Sequence, residues 1–154
     1  MSVTARKVGE WAELSRKMRM LNKVMPAASG IMLQEAHQLK TEVVNAIKAQ
    51  DYEWDALSDS YAARKAREGL DPRTLIATGK SLRSIRVLPM GPGLWGIGIT
   101  KTAKNKRGQS IADIMLRHEF GWGPFPARPL WRKEYRKSEA RLMMKLKSAL
   151  GVML

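Results

Sequence analysis

The sequence predicts a small α+β chain. Three observations carry that expectation: apolar residues recur at helical spacing towards both ends, a period-two run with its own turn lies between them, and glycine and proline separate the two patterns. From Val8, the positions Val8, Trp11, Leu14, Met18 and Leu21 form an amphipathic stripe that predicts a first helix ending near Val24. Pro26 to Gly30 breaks the stripe, and Ser29 is a candidate N-cap for a second helix burying Met32, Ala36, Leu39, Val43 and Ile47. The chain thus divides into a helical arm, 1–28, and one domain, 29–154. The Met-rich face of the arm (Met18, Met20, Met25) suits core filling, and it also suits irregular partner surfaces.

Residues 54–69 predict a further helix, with Leu57, Tyr61 and Arg64 or Lys65 one turn apart and Gly69 as its stop. Asp71-Pro72 turns the chain. After Thr78-Gly79, the positions Leu82, Ile85, Val87 and Pro89 read as a strand, and Met90-Gly-Pro-Gly93 reads as a hairpin connection. Trp95, Ile97 and Ile99 alternate with Gly96, Gly98 and Thr100, giving a second strand with one bulky and one bare face. The bare face predicts close approach by a helix or another subunit, since glycine offers nothing to pack. Ser110 can cap a short helix through Ile111, Ile114, Met115 and His118. A last helix starts near Pro129 and places Trp131, Tyr135, Ser138, Leu142, Leu146 and Leu150 on one greasy face, with a cationic outer face; it reads as the longest in the chain.

The chain has 154 residues and no cysteine, so its stability must come from packing rather than disulfides, and a reducing compartment fits. No run approaches the roughly 20 apolar residues that a membrane helix needs, and no signal-peptide stretch follows Met1, so the protein is expected in the cytosol after synthesis. Twenty-eight Lys and Arg against 14 Asp and Glu give a net charge of +14, which attracts nucleic acid or an acidic protein surface. The charge is segregated. Lys101, Lys104, Lys106 and Arg107 form a loop without an acid, and Asp51, Glu53, Asp55 and Asp59 form a stretch without a base. The two patches suit binding between copies of the chain, and they equally suit plain solvated surfaces.

Catalytic material is thin. His37 lacks a second ligand one turn away, and His118-Glu119 lacks the second histidine of a zinc motif because residue 122 is Trp. The Thr78-Gly-Lys80 sequence lacks the spacing of a phosphate-binding loop, and the glycines of 91–98 belong to a hairpin rather than a dinucleotide fold. No catalytic residue, cofactor or metal is therefore expected. Nucleic-acid binding is the competing class, through the basic loop and the last helix, although no reading motif or stacking platform accompanies them.

The order of short motifs is more specific. Trp54-Asp-Ala-Leu-Ser-Asp-Ser-Tyr61, then Lys65, then Leu75-Ile-Ala-Thr-Gly-Lys-Ser-Leu-Arg-Ser84, then His118-Glu-Phe-Gly121 and Pro126-Ala-Arg-Pro129 resemble, in that order, the virion-morphogenesis (tail-completion) family of long-tailed bacteriophages. The resemblance covers about half of the chain, from Trp54 to Leu130. It departs from the family at Ala56, often proline there, and at Trp122 and Phe125, which add aromatic bulk. It implies a small antiparallel β-sheet packed by several α-helices, with a long C-terminal amphipathic helix, and a structural role at the head-tail interface as a neck, tail-completion or terminator-like component.

The partners so implied are copies of the chain in a ring, a hexamer favoured over a dodecamer, and other phage neck, connector and tail proteins. Non-specific contact with packaged DNA is allowed and a membrane is not. The expected location is the neck of the virion, with the host cytoplasm during assembly. The alternative function is a basic nucleic-acid-binding accessory protein. Candidate interface residues are Asp51, Asp55, Asp59, Trp122, Phe125, Arg128 and Trp131, with Trp131 also a core candidate and Arg128 able to fix a carboxylate or a backbone carbonyl through its planar fork. The loop of Lys101, Lys104, Lys106 and Arg107 is the candidate DNA- or partner-facing element, expected to lack fixed shape before assembly.

Overall fold

In the computed structural model, residues 11–123 and 126–153 are described; Val8, Phe125 and the first ten residues of the expected arm lie outside them. Five helices and one hairpin follow in the order α1 (Trp11–Ala49), α2 (Asp59–Arg67), α3 (Lys80–Ser84), β1 (Arg86–Gly91), β2 (Leu94–Gly98), α4 (Ile111–Phe120) and α5 (Trp131–Met153). This is a small α+β fold whose antiparallel strand pair packs on the central helix.

The expected break at Pro26 is absent. Helix α1 runs through Pro26, and through the 28/29 boundary, as one helix of 39 residues, which also makes it longer than the 23-residue α5. An interior proline costs about 3 kcal/mol because it removes one hydrogen bond and crowds the preceding turn. Two circumstances make that cost bearable here. Pro26 and Asn22, whose carbonyl it leaves without a donor, are both exposed, so water can serve that carbonyl. Downstream, Leu39, Val43, Ala46 and Ile47 are buried in the core and hold the helix by packing.

The core gathers around that half of α1: Ile76, Ile85, Ile111, Met115 and Leu130 close over it, with Tyr52, Trp54, Leu82, Ile97, Ile99 and Trp131 at its margin. The strands pair in register Val87↔Ile97, Leu88↔Gly96 and Pro89↔Trp95, with an irregularity between Pro89 and Gly91 and a turn through Gly93 at φ +71°. The bare strand face is filled from within the hairpin. A Cβ on Gly96 would stand 3.2 Å from Met90 Cγ, and one on Gly98 would stand 3.5 Å from Leu88 Cδ1, so the side chains of β1 lie over the glycines of β2. The opposite face meets α1, where Trp95 Nε1 donates to Ser29 Oγ at 3.4 Å. Ser29 is thus a contact inside α1 rather than a cap.

Helix α5 lies against α1 through charge. Glu35 accepts from Ser138 Oγ (3.3 Å), Arg141 Nε (2.6 Å) and Lys145 Nζ (2.9 Å), while Arg141 also donates to Glu42 at 2.9 Å. The expected inner face is met at Ser138, which is buried, and departs from expectation beside it: Glu134 is buried as well, and Tyr135 is 60% exposed. None of the described helices is long and apolar enough to cross a membrane.

Candidate assembly interface

The motif residues converge on the C-terminal end of α1. After Ala49 the chain turns at Gln50, in the left-handed region at φ 57°, and its side-chain amide pairs with the main chain of Thr74 in both directions, accepting from N at 2.8 Å and donating to O at 3.1 Å. The following stretch is not helical: the expected helix 54–69 begins only at Asp59. Tyr52 and Trp54, with ring centroids 5.3 Å apart, pack against the core and draw residues 51–57 into an irregular path. Asp55 and Asp59 therefore do not lie one helical turn apart. Asp51, Glu53, Asp55 and Asp59 are nonetheless all exposed, and none has an ion-pair partner among the described residues. Lys133 and Lys137 of α5 lie over the Tyr52 ring at 4.7 and 5.4 Å, so cations of the same chain border this acidic stretch.

Lys65 is the buried pin of the motif cluster. At 2% exposure its ammonium donates to the carbonyls of Arg73, at 2.8 Å, and Ile76. Burial pushes its pKa below the ordinary lysine value, and the nearby Asp71 opposes that shift. Asp71 is itself held at about 2 by hydrogen bonds from Arg73. The loop thus closed includes Leu75 at φ 62°, a conformation that costs a non-glycine residue roughly 1 kcal/mol or more. Lys65→Met is expected to lower stability by about 2 kcal/mol, because two carbonyls lose a charged donor. Chemical denaturation checks this, and an unchanged midpoint would show that the loop holds itself.

Arg128 joins the two ends of the motif series. It is 6% exposed, its Nη2 donates to the carbonyl of Asp55 at 3.2 Å, and its own N–H donates to His118 O at 2.6 Å. Of the two acceptors considered for its fork, a backbone carbonyl of its own chain is the one engaged. Two buried donors at this junction, Trp54 Nε1 and Arg128 Nε, have no acceptor among the described residues. Burial, reinforced by the charge of Arg128, lowers the His118 pKa and keeps the imidazole neutral at neutral pH.

The sequence reading missed Glu119. Buried at 3% exposure, its carboxylate accepts from the main-chain N–H groups of Leu130, Trp131 and Arg132 at 2.7, 3.0 and 3.2 Å, and so caps α5 from the end of α4. The available signal was an acid in the last turn of one helix beside a proline-flanked start of the next.

The aromatic candidates separate. Trp131 is half-buried and packs against the core, whereas Trp122 is 61% exposed with the Arg117 guanidinium 5.0 Å from its ring centroid. Phe120 (61%) and Leu116 (58%) extend the exposed apolar surface along α4. A separate open groove of about 400 Å³ runs between α1, β2 and α5, lined by Met32, Trp95, Ile97, Trp131 and Tyr135 among others.

The basic loop has a definite shape. Asn105 Oδ1 accepts from the N–H groups of Arg107 (2.9 Å) and Gln109 (3.0 Å), Asn105 N donates to Gln109 O at 2.9 Å, and Lys104 bridges to Ser110. Ser110 Oγ then caps α4 by accepting from Asp113 N at 3.2 Å, as its position predicts. This internal frame replaces the expected disorder, and it leaves Lys101, Lys104, Lys106 and Arg107 exposed. Among the described residues, no three His, Cys, Asp or Glu side chains are grouped to hold a metal.

Comparison with known proteins finds no matching family model, no matching curated protein and no matching solved structure.

Proposed function

We propose that this chain is a structural, non-enzymatic component of a tailed phage particle, a neck or tail-completion protein that assembles with copies of itself into a ring where head and tail join. The observation that supports it most is the convergence of the motif series. Trp54, Asp55, Lys65, His118 and Arg128 lie far apart in sequence, yet hydrogen bonds and core packing tie them into two linked junctions at one end of α1. The side chains of Lys65 and Arg128 serve backbone carbonyls, which suits a scaffold motif better than a reaction centre.

A ring needs two different patches on each copy that meet head to tail. The exposed Leu116, Phe120 and Trp122 surface is one candidate, with aromatic anchors of the kind that dominate interfaces. The acidic stretch of Asp51, Asp55 and Asp59 is a second, facing cations of a neighbour.

Imaging purified particles that carry a label on this chain is expected to place the label where head meets tail, and a label missing from mature particles overturns the assignment. Trp122→Ala is expected to leave the monomer's circular dichroism and melting temperature unchanged while reducing ring formation by tenfold or more, a loss of about 1.4 kcal/mol or more per interface. A variant monomer that fails to fold would mark Trp122 as a folding residue instead.

A further inference from the structure

We infer that the open end of the hairpin is a contact surface for the phosphate backbone of double-stranded nucleic acid, and that it is larger than the basic loop alone. Between Asp71 and Asp113 the sequence contains no carboxylate. Apart from Arg73, which pairs with Asp71, the fold gathers the cations of that span at one place. Register pairing sets Arg86 opposite Gly98, three residues before Lys101; α3 ends two residues before Arg86 and touches α4, which begins where the 101–110 loop ends, so α3 and that loop lie at the same end of the hairpin. Arg86, Lys101, Lys104, Lys106 and Arg107 are all exposed there, joined by Lys80 and Arg83 of α3, and none of them has a carboxylate partner among the described residues.

Three features favour a duplex over an acidic protein or a single strand. The surplus of like charge on one surface suits a partner with closely spaced negative charges, whose condensed counterions are released on binding. The four acids at 51–59 of a second copy are a weaker match, because Lys133 and Lys137 already border them. Single strands are held largely by stacking on aromatic rings. Trp95 is the only aromatic residue between Asp71 and Asp113, and it faces α1 through Ser29. The loop frame built on Asn105 and Gln109 holds its cations in place before any partner arrives, which reduces the ordering cost of binding. A single copy presents this surface whole, so it requires no ring.

The test titrates the full-length chain with a 30-base-pair duplex, a single strand of equal length and a poly-glutamate peptide, by fluorescence anisotropy over a range of salt. Duplex binding is expected to be the tightest of the three and to fall steeply with salt. Lys104→Gln/Lys106→Gln/Arg107→Gln is expected to reduce the slope of log K against log salt by about 2 to 3, and Arg86→Gln by about 1. Lys48→Gln/Arg136→Gln/Lys147→Gln, which removes equal charge from exposed sites elsewhere, is expected to change it little. Equal loss in that control, equal binding of poly-glutamate or the single strand, or no duplex binding at low salt would each overturn the inference. Circular dichroism of each variant verifies folding, which the unchanged Asn105 and Gln109 should preserve.

Discussion

Replacing Glu35 by alanine is expected to destabilise the protein by about 3 kcal/mol, seen as a lower urea midpoint. The carboxylate is buried at 3% exposure between α1 and α5 and gathers Ser138, Arg141 and Lys145. Without it, two cations face each other across a hole. The loss should lie at the low end of that for a broken buried pair, because the Arg141 and Lys145 side chains are 25% and 33% exposed and Arg141 keeps Glu42. The same group gives an acid signature. Burial raises the Glu35 pKa, but hydrogen bonds from Arg141 and Lys145 outweigh it and hold the value below 4.5. The unfolded chain therefore takes up this proton first as pH falls. The contribution of Glu35 is complete above 4.5 and is lost as pH drops through the lowered folded value. The parent's urea midpoint should fall in that acid range, and Glu35→Gln should show a flatter profile; identical profiles would remove Glu35 from the account.

Glu119→Ala is expected to cost about 2 to 3 kcal/mol, more than an ordinary cap. An α-helix begins with four N–H groups that have no partner within it. One carboxylate meets the three at Leu130, Trp131 and Arg132, and its negative charge also opposes the positive end of the helix dipole. Because Glu119 belongs to α4, the loss should separate two helices as well as fray one. Amide hydrogen exchange at residues 130–132 should accelerate in Glu119→Ala and much less in Glu119→Gln, which keeps one acceptor oxygen. Unchanged exchange in the alanine variant would mean that water replaces the cap without penalty.

The local rules identified local features well. Ser110 caps its helix, Gly69 at φ +61° and Gly79 at φ +68° sit at element ends, and the alternation around Trp95 and Ile97 gives the hairpin and its buried face. What escaped the sequence reading depends on partners distant in the chain. Pro26 reads as a break because its penalty is local, whereas the packing that carries α1 across it comes from residues 76, 85, 111 and 130. The stripe Trp131, Tyr135, Ser138, Leu142 places Ser138 inward correctly, yet the buried side also takes in Glu134, which meets Tyr52, while Tyr135 turns outward. Glu35 was legible in principle: it stands between Met32 and Leu39 on the buried side of the helical period. The candidate sites divide along the same line. Exposure of the acids, Trp122 and the loop cations agrees with their residue types, but the joining of Arg86 to the loop needed the strand register, and the union of Arg128 with Asp55 needed the tertiary fold.

That last bond has an evolutionary corollary. Arg128 grips Asp55 by its peptide oxygen, which nearly any amino acid at the position would supply, so the architecture places a strong demand on 128 and almost none on the identity of the residue at 55. Selection can therefore rewrite that outward-facing group to suit whatever lies beyond the molecule without disturbing the knot beneath it.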